Sequence, residues 1–139
     1  LLQKKRKNFD LCVLFFDLDD FKKVNDTFGH DVGDKVLVRV AEIVINSIRV
    51  TDFVGRWGGE EFIVSFSDSS LKNATGTAQK IRKNMEEDTI LYSLLSYNLT
   101  ASFGLTSVKE DESVDDIVKR VDDALYEAKN TGKNKVVLA

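Results

Sequence analysis

Proline is absent from the 139 residues, and cysteine, histidine, methionine and tryptophan occur once each. The single cysteine, Cys12, cannot close an internal disulfide. Set in the apolar run LCVLFF, it reads as a buried core thiol in a reducing compartment. No apolar stretch approaches the ~20 residues of a membrane span, and no signal-peptide pattern opens the chain. Basic residues are scattered rather than gathered into a stripe, and the net charge is −3, which disfavours a nucleic-acid partner. The one basic cluster, Lys4-Lys5-Arg6-Lys7, reads as a solvated helix end or linker. Without proline, low-complexity tracts or repeats there is no internal boundary, so residues 1–139 are expected to form one domain with one core. A 42% hydrophobic and 31% charged composition is an ordinary globular balance. The chain begins Leu-Leu-Gln and its only methionine is Met85, so a domain of a longer protein is expected.

Hydrophobic patterning supplies the elements. LCVLFFDL, residues 11–18, is too short for a typical helix and reads as a buried strand. From Asp31, residues Val36, Leu37, Val40, Ala41, Val44, Ile45 and Ile48 step by three and four, predicting an amphipathic helix. Residues 52–57 and 60–66 are strand-like on either side of Gly58-Gly59, which predicts a hairpin with a two-residue Gly-Gly loop. A helix with Ala74, Ala78, Ile81 and Met85 inward follows, then a strand over 98–108, NLTASFGLTSV, whose residues alternate as in a strand with one buried face. Ser113-x-x-Asp116 opens a last helix whose inward face is Val114, Ile117, Val118, Val121, Leu125 and Ala128. Gly132 stops it, and KVVL at 135–138 is a closing strand. The predicted order is strand–helix–helix–hairpin–helix–strand–helix–strand, an α/β or α+β domain.

The chemistry concentrates around RWGGEEF, residues 56–62, and FFDLDDF, residues 15–21. Val13, Phe15, Asp17 and Asp19 share a parity, hence a face. A carboxylate at the end of a buried strand needs a partner, and a cation is an efficient one. If the hairpin pairs beside this strand, one of Glu60 and Glu61 faces the same way as Asp17. Such carboxylates, with positions left for phosphates, are how proteins hold Mg²⁺ for phosphoryl or nucleotidyl transfer. A plainer reading stays open, in which Asp17 and Asp19 end a strand and cap a helix. DLDDFKKVNDTFG is no EF-hand loop, since Phe21 takes the fifth position and Lys22 the place of the required glycine. Neither a Walker loop nor G-x-G-x-x-G is present. His30, without a second nitrogen ligand, reads as a structural hydrogen bonder, and Trp57 as packing.

Together, RWGGEEF, the upstream FFDLDDFKKVNDTFGHDVGD and the downstream RVDDALYEAKNTGKNKV resemble the GGDEF domain of diguanylate cyclases, in the GGEEF variant of its signature. The resemblance covers nearly the whole chain in three ordered blocks. It implies a central, mostly antiparallel five-stranded sheet flanked by helices, like the palm of polymerases and the class III nucleotide cyclases. The implied activity joins two GTP into cyclic di-GMP with release of two pyrophosphates, one GTP on each subunit of an antiparallel homodimer. Position by position, Asp17, Glu60 and the Leu18 carbonyl would ligate Mg²⁺ (or Mn²⁺). Glu60 would help deprotonate the attacking 3′-hydroxyl, with Glu61 a further contributor. The backbone N–H groups of Asp20 and Phe21, with Lys22 nearby, would hold phosphates at a helix start. Lys129 and Lys133 would bind the terminal phosphate. Asn25 and Asp34 would read guanine, although Asp31-x-x-Asp34 also suits a helix cap, with Asp31 as the capping residue. Gly58 and Gly59 would give the turn and the clearance for the nucleotide.

Arg49-x-x-Asp52, with five residues between it and Gly58, matches the family's product-inhibition tetrad, where cyclic di-GMP binds. A surface salt bridge is the alternative for the pair. Some members complete this site with a second arginine; the matching position holds Lys80, with Arg82 close by. Lys133 stands where arginine is commoner, so phosphate binding is expected to be looser. The Asp-x-Leu-Thr-Gly-Leu-x-Asn-Arg segment that most members carry upstream is not in the chain. A sensory or regulatory domain is expected before Leu1, in a protein that a membrane anchor would suit, with this domain cytoplasmic. Two other functions fit parts of the pattern: a non-catalytic receptor for cyclic di-GMP or GTP, and an unrelated Mg²⁺ nucleotidyl transferase without guanine preference.

Overall fold

Eight nearly continuous apolar residues, Leu11–Leu18, form the central strand β1 of the computed structural model, which describes residues 10–139. The basic cluster at Lys4–Lys7 lies outside the described residues. Strand β1 is buried because it has neighbours on both edges and helices on both faces. It pairs antiparallel with β3 (Glu61–Ser67) and with β4 (Ala101–Ser107). Beyond β3 lies β2 (Phe53–Gly58), antiparallel, and beyond β4 lies β5 (Lys135–Leu138), parallel. The sheet order is β2-β3-β1-β4-β5, a mixed, mostly antiparallel α+β sheet, as the sequence led us to expect.

Parity along β1 separates two cores. Cys12, Leu14, Phe16 and Leu18 face a large cluster shared with α1 (Phe21–Phe28), α2 (His30–Ser47), α3 (Leu71–Glu86) and α4 (Thr89–Leu95). Within it Phe16 stacks on Phe62 with centroids 4.9 Å apart and meets Phe103 at the same separation. Cys12 is fully buried, donates to the Ser69 carbonyl, and has its thiol pKa pushed up by burial, in line with a core thiol. On the other face, Phe15 packs with Val121 and Leu125 of α5 (Val114–Asn130), flanked by Val13, Ile63, Ile117 and Val118. Asp17 shares the parity of Val13 and Phe15, so it emerges beneath the end of α5.

Three expectations are corrected. A helix absent from the predicted order, α4, follows α3 directly; Asp88 caps it by accepting from the Leu91 N–H. Strand β4 is buried on both faces instead of alternating. On α5 the Ser113 hydroxyl accepts from the Asp116 N–H as predicted, but Val114 lies outward and exposed, because the first turn overhangs the sheet. No helix among the described residues is long and apolar enough to cross a membrane.

Candidate active site

The C-terminal end of β1 meets the start of β3. Asp17 pairs in register with Glu61, placing their side chains on one face, with Ser102 of β4 on the other side. The hairpin turn sits one residue later than Gly58-Gly59. Gly58 pairs with Glu61, the register shifts between Arg56 and Gly58, and Gly59 (φ 28°) with Glu60 makes the turn. Glu60 therefore leaves the strand, its carbonyl accepting from the Leu18 N–H at 3.3 Å. Freed from strand alternation, both glutamates border Asp17.

Asp17 is 7% exposed. Lys129, near the end of α5, donates to its Oδ2, while its Oδ1 is buried without a hydrogen-bond partner among the described residues. Burial pushes the Asp17 carboxyl above its ordinary range; Lys129 opposes this, and Glu60 and Asp19 add to it. Glu61 is raised too, by burial first and then by the Asp17 charge, with Lys129 again opposing. Anionic oxygens are in excess, one of them orphaned, and all are hard donors. That is the chemistry a divalent cation such as Mg²⁺ fits. No group of three His, Cys, Asp or Glu among the described residues encloses an ion by itself. Asp17, Glu60 and the Leu18 carbonyl would supply part of a shell that phosphate oxygens complete.

Beyond Leu18 the chain turns through Asp20, left-handed at φ 56°, into α1, and as N-cap Asp20 makes no side-chain capping bond to the helix. Phe21 is buried and Lys22 exposed at this helix start. Lys133, in the turn after α5, places Nζ 3.0 Å from Asp20 Oδ1, which raises the lysine pKa. Both predicted phosphate lysines thus converge on the end of β1, each resting on an aspartate. Asp19 is no cap: it is 8% exposed and bound by Thr100, Ser102 and Asn134.

Asn25 on α1 lies against Gly33 of α2; a Cβ at Gly33 would come 2.0 Å from Asn25 Oδ1. The glycine therefore sets where the carboxamide can lie, one residue from Asp34. Asp34 is exposed and lines a cavity of about 420 Å³ with Leu37, Val38, Val54, Arg56 and Phe62. Helix α2 starts at His30 behind Gly29, so Asp31 occupies the first turn and makes no side-chain cap bond. His30 is exposed and has no hydrogen bond among the described residues, against the structural bond expected. Trp57 is 67% exposed because α5 reaches across only part of this sheet face, so it packs little.

Arg49 and Asp52 pair at 3.0 Å, and Asp52 also accepts from the N–H groups of Arg49 and Ser67. The pair borders a cavity of about 490 Å³ whose far wall is Lys72, Asn73, Gly76 and Lys80 of α3. Arg82 is not part of it: its guanidinium is held by Gln79, Glu86 and Asn134. Sequence reasoning missed Asp19, Thr100, Ser102 and Asn134 as a unit. Only the run of aspartates at 19–20 hinted at it.

A palm-like sheet with acidic groups crowded at the end of its central strand, and lysines converging there from one helix and its following turn, defines a class of α+β domain with a charged site at one end of the sheet. Comparison narrows the class. The family described as "Diguanylate cyclase, GGDEF domain" matches residues 1–135, and the chain belongs to that family. Diguanylate cyclase A of Treponema denticola is 45% identical over 134 residues, covering 96% of this chain and 36% of the relative. The response regulator PleD of Caulobacter vibrioides is 39% identical over 130 residues, 91% of this chain and 29% of the relative. The chain thus spans about a third of the length of these curated relatives. The active GGEEF domain of a diguanylate cyclase from Vibrio cholerae superposes with a TM-score of 0.87 at 34% identity, covering 99% of this chain and 87% of that one. The GGDEF domain of DgcB from Caulobacter crescentus, solved in complex with c-di-GMP, gives 0.86 at 30%, with 99% and 82% covered.

Proposed function

We propose that residues 1–139 are the catalytic domain of a diguanylate cyclase, condensing two GTP into cyclic di-GMP and two pyrophosphates. The observation that carries this reading is Asp17, a buried carboxylate with an orphaned oxygen beside Glu60, Glu61 and Lys129. Mg²⁺ (or Mn²⁺), held by Asp17, Glu60 and the Leu18 carbonyl, would supply Lewis-acid stabilisation of the phosphate charge.

The remaining work falls to the chain. Asn25 and Asp34 read the guanine edge, the carboxylate accepting from ring N–H groups. The N–H groups of Asp20 and Phe21 at the start of α1, with Lys22 nearby, hold phosphate oxygens. Gly58 and Gly59 leave room for the nucleotide. Lys129 and Lys133 leave their aspartates for the terminal phosphate, neutralising charge that builds on the departing pyrophosphate. Glu60, assisted by Glu61, takes the 3′-hydroxyl proton as that oxygen attacks the α-phosphorus of the partner subunit's GTP and the bond to pyrophosphate breaks. A second, symmetric step closes the ring. One subunit holds one GTP, so an antiparallel homodimer is the catalytic unit. The Arg49–Asp52 cavity suits a guanine dinucleotide, with Lys80 adding a cation, and supports product inhibition. An upstream regulatory domain would set the pairing of subunits.

The test incubates the concentrated protein with GTP and Mg²⁺ and assays cyclic di-GMP and pyrophosphate, beside Glu60→Gln and an ATP control. Product from GTP alone, lost in Glu60→Gln, supports the cyclase. Product from ATP points instead to an unselective nucleotidyl transferase. Cyclic di-GMP binding without GTP binding leaves a receptor.

A further inference from the structure

We infer that Asp19 is a positioning residue for triphosphate recognition: it clamps the turn after α5 so that Lys133, and Lys129 before it, reach the terminal phosphate. The inference rests on the reading of these lysines as phosphate binders and adds a residue that holds them there.

The turn needs holding. Lys133 (φ 61°) and Asn134 (φ 46°) are consecutive left-handed residues, and neither is glycine. That conformation is unfavourable for lysine and tolerated by asparagine, and two such residues in a row persist only where the surroundings hold them. The enforcement comes from Asp19. Its Oδ2 accepts the Asn134 N–H at 3.1 Å and the Thr100 hydroxyl at 2.7 Å, and its Oδ1 accepts the Ser102 hydroxyl at 2.6 Å. The Asp19 N–H in turn donates to the Thr100 carbonyl at 2.9 Å. One buried carboxylate therefore ties the end of β1 and the start of β4 to the turn after α5. A second set of bonds steadies the same turn. The Lys133 N–H donates to the Ala128 carbonyl, and the Asn134 side chain accepts from Arg82 and donates to Glu86 of α3.

The bonds also say what Asp19 does not do. Three donors occupy the carboxylate within 8% exposure, whereas Asp17, two residues earlier, keeps an orphaned oxygen. The two aspartates have divided the labour: Asp17 keeps an unbonded oxygen, and Asp19 is spent on two hydroxyls and the backbone N–H of the turn. A loosened turn leaves the base contacts of Asn25 and Asp34 intact. It should weaken the grip on the terminal phosphate specifically.

The experiment compares GTP and GDP affinities, by calorimetry in Mg²⁺, for the parent chain and Asp19→Asn. The variant keeps the shape but loses one acceptor oxygen, and bonds to a charged group are strong enough for roughly a tenfold effect. We expect GTP to bind roughly tenfold more weakly, GDP less than threefold, and the preference for GTP to collapse. A purely structural role would weaken both nucleotides alike, and that result overturns the inference. If Asp19→Asn does not fold, Thr100→Val keeps the carboxylate and removes the hydroxyl that shares Oδ2. It should move the GTP-to-GDP ratio the same way by at least about twofold, and an unchanged ratio overturns the inference. If the parent itself binds GTP no better than GDP, the phosphate-lysine reading fails and takes this inference with it. A discriminating parent with an equally discriminating Asp19→Asn refutes the clamp alone.

Discussion

Gly104 is where the fold leaves no room. It sits in β4 under α5, and a Cβ added there would lie 2.5 Å from the Val121 carbonyl oxygen and 2.7 Å from the Leu125 N–H nitrogen. Both atoms are helix backbone, so neither can swing aside as a side chain would. The helix must withdraw by roughly 0.7–1 Å to restore van der Waals distances, and a gap of that size forfeits about a quarter to a half of each contact well behind it. The contacts at stake are those of Phe15 with Val121 and Leu125. Overpacking of this kind typically costs ~1–3 kcal/mol, offset by ~0.5 kcal/mol because alanine has fewer unfolded conformations than glycine. Gly104→Ala should therefore destabilise by about 2 kcal/mol, read as a drop of roughly 6 °C in Tm. Urea denaturation followed by circular dichroism measures it. Gly76→Ala on α3 is the matched control. Nothing lies within 4 Å of its added Cβ, and a helical Gly→Ala should stabilise by ~0.5–1 kcal/mol. Because α5 also carries Lys129, Gly104→Ala should weaken GTP binding as well. A Gly104→Ala chain within ~0.5 kcal/mol of the parent would refute the close approach of α5 and β4.

Three further outcomes follow from particular contacts. Asp20→Asn keeps the backbone N–H but removes the anion that pairs with exposed Lys133, so GTP affinity should rise, by no more than about fivefold, in a nucleotide titration. Asp17→Asn replaces a carboxylate whose charged form burial disfavours; its Tm without metal should equal or exceed the parent's, while the Mg²⁺-dependent rise in Tm disappears, and a retained rise would count against the metal reading. Arg39 grips Asp88 at 2.6 and 3.0 Å and, chiefly through those hydrogen bonds, holds the Asp88 carboxyl below the usual range. A depressed folded-state pKa gives stability that is full above the unfolded value of ~3.9 and is lost as pH falls through the folded value. Arg39→Met should thus lower stability by about 1–2 kcal/mol at pH 7, by the scale of a half-buried bidentate pair. The gap between variant and parent should narrow below about pH 4; a gap that is constant with pH in urea titrations would show that packing, not the ion pair, carries the loss.

What the sequence made legible was whatever depends on near neighbours. Strand β1 could be read because a strand buried on both faces is continuously apolar, and its parity correctly put Asp17 on the face opposite Leu14 and Phe16. Helix α4 escaped because TILYSLL is seven residues of apolar and β-branched character, too short for periodicity to declare itself. The usable signal was its cap, Asp88. The hairpin was legible but its turn was off by one, since two glycines in a row do not say which of them closes the loop. That single step decides whether Glu60 stands on a strand or in a turn. Pairings across the chain were illegible. Asp17 and Lys129 are separated by 112 positions, and Asp19 and Ser102 by 83. No local pattern carries such a contact.

Consistency between local and global choices is what makes a sequence specify a fold, and function shows where that consistency is broken. Through most of this chain each level agrees: apolar parity matches the two cores, Ser70 and Ser113 cap the helices they precede, and buried Asp19 has every donor it needs. The agreement stops at the end of β1. There burial raises the pKa of Asp17 and Glu61, a neighbouring Glu60 adds to the repulsion, and one Asp17 oxygen has no partner. A sequence selected only for stability would replace Asp17 by an uncharged residue at no loss, whereas it would keep Asp19. The contrast between two aspartates two residues apart, one with an unbonded oxygen and one fully bonded, is the physical ground for reading Asp17 as a residue kept for a ligand and Asp19 as one that positions the turn after α5.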